Sequence, residues 1–139
     1  DSNLPLWSVL RGLREMRLGE TDAAELSRQL VNNLEELRDS IALEFSLEET
    51  YGFIDGAVGS AGLGIHDASV AKVQHRELYL QLHELCEKVE EAQYRGTIGR
   101  DLKTYLEEFA NFDVAFQAHE EFESELIRCG LGGRSSRSF

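Results

Sequence analysis

The sequence predicts an all-α protein, an antiparallel up-down-up-down four-helix bundle, and three observations carry that reading. The single proline is Pro5, so nothing beyond the first residues forbids helix on proline grounds. Glycines cluster at 19, at 52–64, at 96–99 and at 130–133, and they divide the chain into four stretches. Within those stretches apolar residues recur every three or four positions and never alternate as in a strand. Helices of this length joined by short connections pack as antiparallel neighbours.

The first helix is expected over about 5–18, with Trp7 stapling it to the bundle. The second spans about 22–53. Asp22 with Glu25 three residues on makes a capping-box-like start, and Leu30, Leu34, Leu37, Ile41, Glu44, Glu48 and Tyr51 form its seam. The segment 55–67, DGAVGSAGLGIHD, lacks the Lys-Ser/Thr ending of a P-loop and reads as a plain connection. His66 within it reads as a solvated loop histidine. The third helix, about 68–95, follows Asp67 as N-cap. Its seam is Ala68, Lys72, His75, Tyr79, Leu82, Cys86 and Val89, with His83 on the flank. The fourth, about 100–128, shows Leu102, Tyr105, Phe109, Phe112, Phe116, His119, Glu123 and Leu126, whose aromatics are core packing. Residues 1–129 thus form one domain, and 130–139, GLGGRSSRSF, a flexible tail.

Composition narrows the function. Lys and Arg number 14 against 26 Asp and Glu, a net charge of −12 over 139 residues. Such a surface repels nucleic acid and anionic membranes. No apolar run reaches the ~18–20 residues of a membrane span, and DSNLPLWSVL lacks the order of a signal peptide. Two cysteines, Cys86 and Cys129, allow one disulfide but read better as thiols of a cytoplasmic protein.

The seams carry more. In the second and fourth helices the apolar run gives way to polar residues near the C-terminal end, and in the third they come early. An antiparallel bundle therefore gathers Glu44, Glu48, His75, Tyr79, His119 and Glu123 in one layer at one end. Three glutamates in an apolar layer cost several kcal/mol each if uncompensated. A metal cation, or two, would neutralise them, and carboxylates with histidines at i, i+4 on facing helices are a metal-holding pattern. The Glu/His mixture suits iron, manganese or zinc better than calcium. The competing reading is a water-filled polar pocket.

EFSLEE at 44–49, QHRELYLQLHEL at 74–85 and AHEEFESEL at 118–126 give the chain a resemblance to the hemerythrin-like family. That family carries an HFxxEE-like motif late in its second helix, HxxxH early in its third and a His-led motif such as HExxE late in its fourth. The resemblance runs from about residue 4 to 128. It implies a non-haem di-iron centre that binds or senses oxygen, nitric oxide, peroxide or iron, rather than a dedicated turnover reaction. Glu48, His75, His119 and Glu123 match family positions. Glu44 stands where the family has histidine, and Tyr79 replaces the second histidine of HxxxH, either as a phenolate ligand or as filler. No histidine precedes His66, and the first helix's ligand position falls near residues 1–4 or upstream. The alternative is therefore a degenerate, metal-free bundle acting as a protein-interaction or signalling module. A di-iron oxidase or peroxidase-like enzyme is a third class, with no acid/base group beyond the ligands to point to it.

Overall fold

The computed structural model describes residues 4–50 and 65–128, and these are all helical and connecting, with no strand among them. The α-helices are α1 (Leu4–Arg14), α2 (Ala23–Thr50), α3 (Ile65–Arg95) and α4 (Leu102–Ile127). A 3₁₀ turn over Ile98–Asp101 precedes α4. The expected tail 130–139, most of the glycine-rich connection, Tyr51 and Cys129 lie outside the described residues.

Local chemistry sets the ends. α1 is shorter than the expected 5–18. Past Arg14 the chain turns, and the Arg17 guanidinium donates to the carbonyls of Arg14 (2.7 Å) and Met16 (2.9 Å), closing the helix end. Gly19 follows with φ +86°, a left-handed conformation that side chains resist. The capping expectation at Asp22 holds, since its Oδ2 accepts from the Glu25 backbone N–H at 3.3 Å. α3 begins at Ile65, so Asp67 lies inside the helix and is not its N-cap. Gly96, φ +76°, ends α3.

The core is the expected seam made solid. Leu30, Leu34, Leu37 and Ile41 of α2 are wholly buried, and every seam residue of α4 from Leu102 to Leu126 is buried, its aromatics included. Each fully buried Leu, Ile or Phe contributes roughly 1.5–3 kcal/mol. Trp7 does join α1 to the bundle, its ring 6.2 Å from Phe116 of α4. The Arg14 guanidinium adds a two-pronged ion pair to Asp113, 2.8 and 2.9 Å.

Two seams need correction. On α2 the buried line passes from Ile41 to Phe45, leaving Glu44 and Glu48 half-buried. On α3 the buried line is Ala71, His75, Leu78, Leu82, Leu85, Val89 and Ala92, with Cys86 beside it, while Lys72 is exposed and Tyr79 half-buried. This line and the expected one share the 4-3 spacing and meet at His75, Leu82 and Val89. A small rotation puts Ala71 inside and leaves the Lys72 ammonium in water, avoiding the desolvation of a charge.

Neighbouring helices meet in reversed order. The Cys86 thiol of α3 donates to the Leu34 carbonyl of α2 (3.3 Å), and His75 of α3 meets Glu49 of α2. On the other side Lys88 of α3 pairs with Glu108 of α4, while Gln74 meets His119. The late part of α2, the early part of α3 and the late part of α4 therefore come together. Among the described residues no helix is long and apolar enough to cross a membrane.

Candidate metal centre

Four ligand-type side chains converge at that end: Glu48 from α2, His75 from α3, and His119 with Glu123 from α4. One ligand atom from each lies within 4.8 Å of all the others. Donors around a single first-row ion at about 2.0–2.2 Å stand at most about 4.4 Å apart, so a slight inward shift of side chains would complete a coordination sphere. His75, His119 and Glu123 are buried, at 3, 2 and 4 % exposure. They hold that depth because each occupies a core-facing position of a helix whose adjacent turns are anchored by leucine or phenylalanine, after His75 on α3 and before His119 and Glu123 on α4.

The two imidazoles are oriented alike. His119 Nδ1 donates to Gln74 Oε1 at 2.7 Å, and His75 Nδ1 donates to Glu49 Oε2 at 2.6 Å. Both therefore turn Nε2 inward, toward Glu123. A histidine whose outer nitrogen is tied to a carboxylate or amide oxygen has its tautomer and ring angle fixed for ligation through the other nitrogen. Phe45 stacks flat on His75, 3.9 Å between centroids and 4° between planes, and stands edge-on to His119.

The inward side is incompletely satisfied. His119 Nε2 lies 2.8 Å from Glu123 Oε2, and Glu48 Oε1 lies 3.2 Å from His75 Nε2. Neither contact has hydrogen-bonding geometry, and both atoms are buried without a bonding partner among the described residues. With Nδ1 protonated, His119 Nε2 presents a lone pair to a carboxylate oxygen. Two acceptors at that distance call for a proton or a cation between them.

The charges respond accordingly. Burial lowers the His75 pKa, but the Glu123, Glu48 and Glu49 carboxylates around its ring outweigh it and carry it up to about 10. Burial raises Glu48 first, and hydrogen bonding with the Glu44 and Glu123 carboxyls adds to it against the pull of His75, leaving it at about 9. Burial also works to raise Glu123, yet contacts from His119, His75 and Glu48 hold it down to about 2. Glu120, half-buried on the next position of α4, is pushed to about 7 by burial and by Glu123 and Glu44. Near neutral pH these shifts favour a protonated His75 beside an anionic Glu123 and a neutral Glu48 in the metal-free layer.

Of the six residues expected in the layer, four are grouped. Glu44 lies beside them, bonded to Glu48 but outside the four-atom group. Tyr79 points along α3, its ring stacked on His83 at 5.7 Å and 15°. His83 is a flank residue paired to Glu87 at 3.1 Å, as its position predicts. Three supporting residues escaped the sequence reading: Glu49, Gln74 and Phe45. Glu49 had a signal, since it closes the EFSLEE stretch. Phe45 had the same signal, as the phenylalanine of that stretch, and Gln74 had none beyond adjacency to His75.

Two grooves reach the histidines from outside. One of about 490 Å³ between α2 and α3 is walled by Phe45 and Tyr79 and ends on His75, with Lys72 and Arg76 at its mouth. A smaller one of about 250 Å³ between α3 and α4 passes Ala115 and Ala118 to His119. Comparison of the chain with family models, with curated proteins and with solved structures finds no match.

Proposed function

We propose that this chain is a hemerythrin-like metal-binding domain, an up-down-up-down antiparallel bundle that holds non-haem iron. The observation that carries the reading is the pair of orphaned inward atoms, Glu48 Oε1 and His119 Nε2, inside a buried group of four ligand side chains. Glu48, His75, His119 and Glu123 would ligate the first ion. Glu44 and Glu120 are the carboxylates closest to hand for a second, which would make the centre di-iron. Glu49 and Gln74 would hold the two imidazoles in the ligating tautomer. Bound iron would supply affinity for a small diatomic or peroxide ligand, and the grooves along Tyr79 and Ala118 give such a ligand access. The role is binding or sensing of oxygen, nitric oxide, peroxide or iron itself, in a cytoplasmic setting. Other divalent metals suit the same donors.

A second reading has its own observation. Both nitrogens of His75 already meet carboxylates, Glu49 at 2.6 Å and Glu123 at 2.7 Å. A protonated His75 can therefore balance the layer without metal, as in a bundle kept for protein interaction or signalling. Anaerobic loading with ferrous iron followed by optical spectroscopy separates the two. The metal reading expects bound iron and a near-ultraviolet charge-transfer band that changes on exposure to oxygen, nitric oxide or peroxide. A broad visible band would add Tyr79 as a phenolate ligand. Protein that leaves the column iron-free and spectrally silent favours the interaction module.

A further inference from the structure

Another concavity lies away from the metal centre, where α1 ends against α4. It is a cleft of about 500 Å³, within the range of small-molecule sites. Leu13 and Phe109 form its buried floor, and Met16, Leu106 and Ala110 continue its wall. Leu18 and Val114 stand at its lip, 48 and 70 % exposed. Met16 adds a flexible thioether that adapts to an irregular apolar occupant. About 14 Å of helix rise separates Ala110 from His119, so this cleft is independent of the metal reading.

The polar lip carries both signs of charge. Arg14 is spent on Asp113, which neutralises both. Arg17 is pinned over the cleft by two backbone carbonyls and meets no carboxylate among the described residues. Lys103, facing it from α4, likewise makes no ion pair there, although Glu107 is one turn on. Arg17 and Lys103 thus offer two cations beside an apolar trough, with the Glu107 carboxylate also on its lining.

The geometry points to a binding site for an amphiphile with one carboxylate head and an unbranched apolar tail, a free medium-chain fatty acid. The tail would lie on Leu13, Met16, Leu106 and Phe109, and the head would take the N–H donors of Arg17 and the Lys103 ammonium. The remaining guanidinium donors of Arg17 are pre-oriented by its carbonyl contacts, so little side-chain freedom is lost on binding.

Titration calorimetry of the whole chain with decanoate, decanol and decyltrimethylammonium, each below its micelle concentration, tests this. Decanoate should bind one per chain, and decyltrimethylammonium at least tenfold more weakly. Arg17→Glu with Lys103→Glu should weaken decanoate tenfold or more and leave decanol unchanged. Lys103→Glu alone, at an exposed position, should give part of that loss. Ala110→Trp should fill the trough and abolish both ligands. Equal binding of the anionic and cationic amphiphiles, decanoate binding that survives charge reversal, or binding that survives Ala110→Trp overturns the assignment. An acidic amphipathic peptide that binds where decanoate does not would overturn it in favour of a partner helix.

Discussion

The two ends of the bundle use the same spacing for opposite purposes. Around Leu10, Leu13, Leu30, Leu34 and Phe112 the inward positions are filled by carbon, and these side chains are essentially sealed from solvent. Toward the other end the same three- and four-residue spacing delivers Glu48, His75, His119 and Glu123. One end gains stability from burial. The other gives some of it up, since buried carboxylates and imidazoles are costly without full compensation. A regular fold thus carries an irregular layer, and the departure from apolar filling marks where chemistry is to be sought.

Mutation should read the difference between the ends directly. Leu34→Ala, in the sealed end, should cost about 2–5 kcal/mol in denaturant unfolding, because a wholly buried leucine leaves a cavity. That loss should be the same with and without ferrous iron, whereas changes in the polar layer should depend on it.

The pH response should be the next largest effect, and it belongs to the polar end alone. Glu48 and His75 both have folded-state pKa values raised above the unfolded ones, to about 9 and about 10. The metal-free fold then holds protons that the unfolded chain has released. The His75 contribution is fully present below its unfolded value near 6.5 and is lost as pH rises through 10. Glu48 destabilises increasingly from about 4.5 up to 9. Both make stability fall as pH climbs from 6.5, by up to about 1.4 kcal/mol per proton per pH unit. Glu123, depressed to about 2, contributes stability above about 4.5 that disappears as pH falls toward 2. Metal-free protein should accordingly be most stable near pH 5–6. Iron displaces these protons, so its affinity should rise with pH and reverse the trend. Thermal midpoints from pH 4 to 9, with chelator and with anaerobic ferrous iron, check both limbs. Glu48→Gln should flatten the metal-free alkaline limb.

How much of this was legible depended on whether one residue type dominated each position. α4 was readable because its seam is unambiguous, and Leu102 through Leu126 are all buried as spaced; α2 kept its expected seam through Ile41, after which Phe45 rather than Glu44 is buried. α3 carries two interleaved stripes, and only the cost of burying Lys72 against Ala71 decides between them. The end of α1 was hidden because Met16 and Leu18 continue its apolar pattern, while the Arg17 contacts that stop it are made by donors to backbone. In the site, the four grouped residues were legible because each sits on a seam. Periodicity did not mark Glu49 and Gln74, because they act from the flank by hydrogen bonds across a helix pair; only the EFSLEE stretch pointed to Glu49.

Smaller effects refine the contrast. Asp113→Asn should cost about 1 kcal/mol, since its partner Arg14 is 37 % exposed and solvent screens the pair. Lys88→Ala, which removes an exposed pair with Glu108, should change stability by less than about 0.5 kcal/mol. Cys86 is a free thiol in this fold, and burial pushes it up to about 12. In a Cys129→Ser background it should react with a thiol reagent at pH 8 only as fast as the protein unfolds.

The central claim is that the polar layer exists to hold a cation, and equilibrium dialysis against ferrous iron tests it most directly. The chain is compared with His119→Ala, Glu48→Ala and Leu34→Ala, each first confirmed helical by circular dichroism. Saturable binding of one or two ions per chain is expected, reduced at least tenfold in affinity by His119→Ala and by Glu48→Ala and untouched by Leu34→Ala. Iron retention in both ligand variants equal to that of the parent chain, or no saturable binding by the parent chain at all, would contradict it.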